Sequence, residues 1–261
     1  MPVKILFIGD IIGKPGRQAL SRELDRLVDR HRVDLVLVNG ENASGGFGLT
    51  TETAKELFDL GVHGITSGNH IWDKKEQVAL VLANPRIVRP ANYPEGTTGR
   101  GGMILTTPGG IKVGVLNLEG RVYMKNLECP FRTADREIEL LRQETPVIFV
   151  DFHAEATSEK SALGWYLDGR VSAVVGTHTH VQTADERILT RGTAYLSDAG
   201  MTGSFDSVIG IGKEEAIHKF LTQLPVKFEI PKKDIRINGV VVSVDEESGR
   251  ALGIERIAVS C

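Results

Sequence analysis

The sequence is poor in the residues and patterns that mark secreted and membrane proteins. Two cysteines, Cys129 and Cys261, occur among 261 residues, and neither belongs to a Cys-x-x-Cys pair, which excludes a disulfide framework and argues against a structural zinc site. No apolar stretch approaches the roughly 18 residues of a membrane span. The first residues also lack the apolar core and cleavage site of a signal peptide. We therefore expect a cytoplasmic protein with no membrane partner.

An excess of positive charge is also lacking. Lysine and arginine number 31 against 34 aspartate and glutamate residues, and the net charge is -3. This balance gives no overall attraction to nucleic acid, so RNA remains possible only through a local contact. The hydrophobic and charged fractions are those of a globular protein. We expect residues 1–261 to form a single domain, and we expect a homo-oligomer.

Short apolar runs alternate with helical patterns through the first half of the chain. The runs at 3–8, 35–38 and 65–66 each end in a turn, and helical patterns separate them. Such alternation predicts parallel strands with helical crossovers. Two further runs, 102–105 and 112–118, flank a Pro-Gly-Gly turn and predict a hairpin, which makes the expected sheet mixed. Residues 188–196 are also expected to form one strand.

Side chains of the types that bind metal ions follow the predicted strands. Three histidine strings each come directly after an apolar run: Gly-Asn-His at 68–70, Phe-His-Ala at 152–154 and Gly-Thr-His-Thr-His at 176–180. In an open α/β sheet the carboxyl ends of the strands share one edge and form the ligand crevice. We therefore expect eight side chains to converge there: Asp10, Glu41, Asn42, Asn69, His70, His153, His178 and His180.

The side chains in this set favour a two-metal site. Imidazole, carboxylate and amide oxygen suit divalent iron, manganese, zinc or nickel. Ions held roughly 3.5–4 Å apart by a bridging carboxylate can clamp a phosphoester while a metal-bridging hydroxide attacks phosphorus. His178 and His180 are two residues apart, so extended backbone would direct both side chains to the same side, a spacing that suits two neighbouring ions.

The order of these motifs resembles the calcineurin-like metallophosphoesterase superfamily. Longer strings at 40–46, 69–73, 89–94 and 151–160 are similar to its YmdB-like branch, and the resemblance runs from about residue 4 to 220. It implies an α/β fold, an αββα sandwich of two mixed β-sheets flanked by helices. It also implies a dinuclear centre with iron as the expected metal, and phosphodiesterase activity toward 2',3'- or 3',5'-cyclic nucleotides.

The resemblance also implies a division of the ligands between two ions. Asp10 and His180 would bind one ion, Asn69, His153 and His178 the other, and Glu41 would bridge them. Ile12 stands where the general pattern has a histidine ligand, and Asn42 is the expected substitute. Because strand neighbours point in opposite directions, Glu41 and Asn42 can both face the metals only if the backbone turns there.

His70 is assigned a catalytic role instead of a metal ligand's role. An imidazole titrates near working pH, so His70 would act as general acid or hydrogen-bond donor at the leaving oxygen. Ile71 replaces the acidic residue that usually follows Gly-Asn-His, which leaves Asp73 as the candidate to orient the ring.

No substrate-binding residue is assigned from the sequence. Phe47, in a glycine-rich segment, is open to two interpretations: it stacks on a nucleobase or covers the core. Glu159 and Lys160 are interpreted as a solvated pair on a helix.

The leading hypothesis is a dinuclear phosphodiesterase that acts on small phosphodiesters such as cyclic nucleotides. Two alternatives stay open, because one fold serves many reactions. One is a phosphomonoesterase or 5'-nucleotidase. The other is a regulatory protein that binds a nucleotide or RNA at the metal site, with incidental turnover.

Overall fold

Two mixed β-sheets face each other in the computed structural model, which describes residues 2–261. The first sheet contains β1 (Pro2–Ile8), β2 (Asp10–Ile11), β3 (Leu35–Asn39), β4 (Gly64–Thr66), β11 (Met201–Ser204), β12 (Ile235–Asp245) and β13 (Ala251–Ser260). The second contains β5 (Gly102–Thr106), β6 (Lys112–Glu119), β7 (Ile148–His153), β8 (Ala173–Thr177), β9 (Arg187–Ile188) and β10 (Ala194–Leu196). The helices are α1 (Gly13–His31), α2 (Thr51–Asp59), α3 (Val78–Leu82), α4 (Pro130–Arg142), α5 (Thr157–Leu167) and α6 (Lys213–Thr222).

The alternation of side chains along β1 explains the layered core. Ile5 and Phe7 pack against the second sheet, and the rings of Phe7 and Phe149 have centroids 5.0 Å apart. Leu6 and Ile8 point to the other face and pack against α1 and α2. A third cluster joins α4 and α5 to the outer face of the second sheet. Both faces of the central strands are therefore buried, as parallel strands require, and the predicted αββα sandwich is confirmed.

Parallel pairing brings the site-bearing loops together. β1, β3 and β4 are parallel neighbours in the first sheet, and β6, β7, β8 and β10 are parallel neighbours in the second. The carboxyl ends of β3 and β4 therefore share one edge, and those of β7 and β8 share the corresponding edge of the facing sheet. The predicted hairpin is the antiparallel pair β5 and β6.

The sequence pattern was wrong in one strand and did not indicate two elements. Residues 188–196 are predicted as one strand, but a turn separates β9 from β10. The Asp168 carboxylate accepts hydrogen bonds from Thr190, Arg191 and Thr193, and this long-range contact holds the turn. β11 and α6 were not predicted; β11 reads Met-Thr-Gly-Ser and lacks an apolar run.

None of the helices within residues 2–261 combines the length and the apolar character that a membrane span requires.

Candidate metal centre

Two groups of potential ligands meet at the edge where the sheets face each other. One group contains Glu41, His153 and His178, and the other contains Asp10, Glu41 and His180. Within each group one donor atom per residue lies within 4.8 Å of the others. Glu41 belongs to both groups, which makes it the candidate bridge between two ions.

The Nε2 atom of His153 is surrounded by other donor atoms. It lies 3.1 Å from Glu41 Oε1, 3.0 Å from Asn69 Oδ1 and 3.0 Å from His178 Nδ1. Ligands about 2.1 Å from one ion are about 3 Å apart when they subtend a right angle. These side chains therefore fit a divalent ion that takes nitrogen and oxygen ligands.

Three buried side-chain oxygens at the centre have no hydrogen-bond partner. Asp10 Oδ1 and Glu41 Oε1 belong to the donor groups, and Asn42 Oδ1 lies beside them; all three residues are almost completely buried. A buried oxygen without a partner carries a desolvation cost that a cation would remove. Asn42 donates its amide N–H to Gly46 O, which leaves its oxygen free. The backbone turns after β3, so Glu41 and Asn42 both face the site, as expected.

Burial and neighbouring charges shift the pKa values of His153 and His178. Burial opposes protonation of His153, but the nearby carboxylate of Glu41 raises its pKa to about 9. Burial, and then the positive charge of His153, lowers the pKa of His178 to about 3. His178 is thus neutral, as a metal ligand must be. His153 holds a proton that a metal ion would displace.

A hydrogen-bonded chain fixes the ring of His153. Its Nδ1 lies 2.9 Å from the Thr177 hydroxyl, which donates to Asp151 Oδ1 at 2.7 Å. Because the hydroxyl gives its only proton to Asp151, it accepts from His153 Nδ1 and leaves Nε2 for the metal. Asn39 and Thr66 also donate to Asp151, and burial raises the pKa of that carboxyl to about 7.

The segment that carries His178 and His180 is a turn, and the prediction of extended backbone was wrong. The φ angles are +97° at His178 and +64° at His180, in a backbone region that residues other than glycine rarely adopt. Between them, Thr179 donates its backbone N–H and its hydroxyl to Asp198. Asp198 also accepts from the Lys160 ammonium at 2.6 Å.

The interpretation of Glu159 and Lys160 as a solvated pair was also wrong. Both are buried: Lys160 binds Asp198, and the Glu159 carboxylate accepts backbone N–H groups from Arg121 and Val122. Asp198 was missed as well, although it follows β10 and the strand-end rule would have found it.

His70 lies beside the two donor groups and belongs to neither. Its Nδ1 lies 2.8 Å from Asp73 Oδ2, so Asp73 orients the ring, as predicted. Its backbone N–H donates to Glu41 Oε2 at 2.9 Å, which ties the short helix at 69–72 to the carboxylate of Glu41. Phe47 contacts the ring edge-on with centroids 5.0 Å apart.

A cavity of about 260 Å³ opens beside the centre. Glu41, Asn42, His70, His178 and His180 line it on the polar side. Apolar side chains line the rest: Ile12, Phe47, Ile209, Ile211, Phe228 and Ile230. Phe228 and Ile230 were missed, although apolar and charged residues alternate at 226–230 and this pattern indicates a segment with one apolar side. All eight predicted site residues therefore lie at or beside one cavity, and their binding of metal stays a prediction.

Comparison with known proteins places the chain among close relatives. It is 48% identical to a 2',3'-cyclic-nucleotide 2'-phosphodiesterase of Bacillus subtilis, over 99% of this chain and 97% of that protein. Its fold matches the crystal structure of a novel phosphatase from Mycoplasma pneumoniae, with a TM-score of 0.93, 36% identity and coverage of 100% of this chain and 94% of the other. A hypothetical protein from Thermus thermophilus gives a TM-score of 0.92 at 41% identity, over 99% of both chains.

The match extends to the family as a whole. Residues 6–257 fit the family described as YmdB-like protein, which covers nearly the entire sequence. The chain therefore belongs to the YmdB-like protein family.

Proposed function

We propose that this protein is a metal-dependent phosphodiesterase that hydrolyses nucleoside cyclic phosphates, with 2',3'-cyclic nucleotides as the leading substrates. The observation that carries the proposal is the pair of donor groups that share Glu41, together with the buried oxygens of Asp10, Glu41 and Asn42 that have no hydrogen-bond partner. The B. subtilis relative, named for the same reaction, supports it. The donor groups and this relative also support the broader statement that the protein hydrolyses phosphoric esters.

The residues have separate roles in this proposal. Asp10, Asn42 and His180 would hold one ion, Asn69, His153 and His178 the other, and Glu41 would join them. When bound, two such ions supply Lewis acidity to a phosphoester and lower the pKa of water. His70 would donate a proton or a hydrogen bond to the leaving oxygen while Asp73 holds its ring.

Iron is the proposed metal, with manganese, zinc and nickel as alternatives. The donor set contains only nitrogen and oxygen atoms, which suits each of these ions. Elemental analysis of anaerobically purified protein identifies the pair. Cytoplasmic location, a single domain and a homo-oligomeric state remain predictions, and size-exclusion chromatography with light scattering measures the last.

The proposal is tested with bis-p-nitrophenyl phosphate and a panel of metals. The metal-loaded protein should hydrolyse the diester, and Asp10→Ala and His178→Ala should abolish turnover. His218→Ala is the matched control, because His218 is an exposed histidine on α6, outside the cavity. Full activity in both site variants, or none in the wild type with any metal, would overturn the proposal.

The M. pneumoniae phosphatase favours a phosphomonoesterase as the second candidate. A comparison of kcat/KM for p-nitrophenyl phosphate and for the diester separates the two activities.

A further inference from the structure

A segment that belongs to neither sheet forms one wall of the cavity beside the metal centre. Residues 224–231, which we call the strap, run from the end of α6 toward β12 without regular secondary structure. Val226, Phe228 and Ile230 are half-buried, whereas Lys227 and Glu229 are exposed. This alternation shows that the strap directs one apolar side toward the body of the protein.

The strap is fixed against the loops that carry the metal ligands. Ile230 lies directly on two glycines: a Cβ atom built on Gly13 would come within 2.5 Å of Ile230 Cδ1, and one on Gly46 within 3.1 Å. The carbonyl of Glu229 accepts a hydrogen bond from Gly212 N at 2.9 Å. The Lys219 ammonium lies 4.9 Å from the centroid of the Phe228 ring and helps to hold it. Phe228 is therefore a positioned wall of the cavity.

The composition of the cavity indicates what it would bind. Within residues 2–261, no lysine or arginine lines it, whereas two acidic residues, Glu155 and Glu229, do. Two aromatic rings, Phe47 and Phe228, lie among the apolar side chains of the wall. Such a surface disfavours a second phosphate and favours a flat, uncharged group with N–H donors, and aromatic side chains stack on nucleobases of any sequence.

We propose that the cavity between Phe47 and the strap is a nucleobase subsite, and that it selects singly charged cyclic phosphates of nucleosides over phosphodiesters without a base. This assignment rests on the proposed function. Beyond that function, the base of the substrate would contribute to binding by contact with Phe228 on the strap and with Phe47. The metal centre would hold the phosphate, and the subsite would hold the base.

The test compares two substrates that differ only in the base: adenosine 2',3'-cyclic phosphate and methyl riboside 2',3'-cyclic phosphate. In Phe228→Ala, KM for the adenosine compound should rise about 5- to 150-fold, the range expected for one lost stacking contact. The change for the methyl riboside should be much smaller. Phe228→Tyr keeps the ring and should restore the preference, and the exposed neighbour Lys227→Ala is the matched control.

The outcomes separate this proposal from the proposed function. Equal losses for both substrates, or no loss for the adenosine compound, would overturn the subsite while leaving the phosphodiesterase intact. If neither substrate is hydrolysed by the wild type, the function fails, and saturation-transfer NMR of adenosine then tests the subsite directly. Saturation of the adenine protons in the wild type and its loss in Phe228→Ala would support the subsite. Equal signals in both proteins would reject it.

Discussion

The ammonium of Lys160 lies 2.6 Å from Asp198 Oδ2, and the two side chains are 3% and 1% exposed. Asp198 in turn holds Thr179 between the two histidines of the 178–180 turn. An ion pair between α5 and the loop after β10 thus supports the backbone that presents two proposed metal ligands.

Removal of the charge at residue 160 should destabilise the protein strongly. Lys160→Met leaves Asp198 buried without its partner, which costs about 3–5 kcal/mol of unfolding free energy. Arg136→Met is the matched control: Arg136 pairs with Glu128 at the surface, where the loss is about 0–1 kcal/mol. Urea denaturation of the metal-free proteins measures both. Equal losses of unfolding free energy in the two variants would show that the buried ion pair contributes no more to stability than the surface pair.

The hydroxyl of Thr177 should matter for metal affinity. Thr177→Val removes the link between His153 Nδ1 and Asp151, and loss of such a link typically lowers metal affinity about 10–100-fold. Thr133→Val is a suitable control, because the Thr133 hydroxyl is buried without a partner. Competition with a chromogenic chelator gives the two affinities. Unchanged affinity in Thr177→Val would mean that the ring of His153 is held by other contacts.

The stability of the metal-free protein should fall as pH rises from 6.5 to about 9. The pKa of His153 is raised from 6.5 to about 9, so its contribution is complete below 6.5 and is lost through about 9. Metal-loaded protein should not show this fall, because metal binding displaces the proton and becomes stronger as pH rises. Denaturation across this interval with and without metal measures the difference, and His153→Gln should abolish the metal-free slope. A metal-free stability that rises with pH would contradict the prediction.

His70→Ala should remove catalysis and leave the metals in place. A general acid contributes about 10²–10⁴-fold, so kcat should fall by that factor. Bound metal, measured by elemental analysis, should stay unchanged because His70 is in neither donor group. Asp73→Ala should have a smaller effect of the same sign, since it only frees the ring. Loss of metal in His70→Ala would make His70 a ligand. Retained ligand affinity and cellular function in a variant that has lost turnover would favour the regulatory alternative.

The absence of lysine and arginine from the described lining of the cavity predicts a preference for single negative charge. The ratio of kcat/KM for a cyclic phosphodiester to that for a dianionic nucleoside monophosphate should exceed one. Glu229→Lys should lower this ratio, because it replaces an acidic residue of the lining with a basic one. Steady-state kinetics on both substrates measures the ratio. A ratio below one in the wild type would favour the phosphomonoesterase.

The sequence predicted the fold class and the position of the site because both depend on local patterns. Apolar runs such as 3–8 and 35–38 alternate with helical patterns, which predicts parallel strands. The carboxyl end of each strand then carries the ligand-type side chains, and parallel topology alone directs them to one edge. The family resemblance implied how these ligands would divide between two ions. The chain's membership of that family is confirmed.

Only the tertiary structure decided how these side chains are held and what surrounds them. The left-handed turn at His178 and His180 depends on Asp198 and Lys160, which are distant in sequence and lie on different elements. The cavity wall depends on Phe228, and the alternation at 226–230 does not tell which surface its apolar side covers. A sequence pattern reports the environment that a residue shares with its neighbours in the chain, whereas these contacts form only when the two sheets and the strap have packed together.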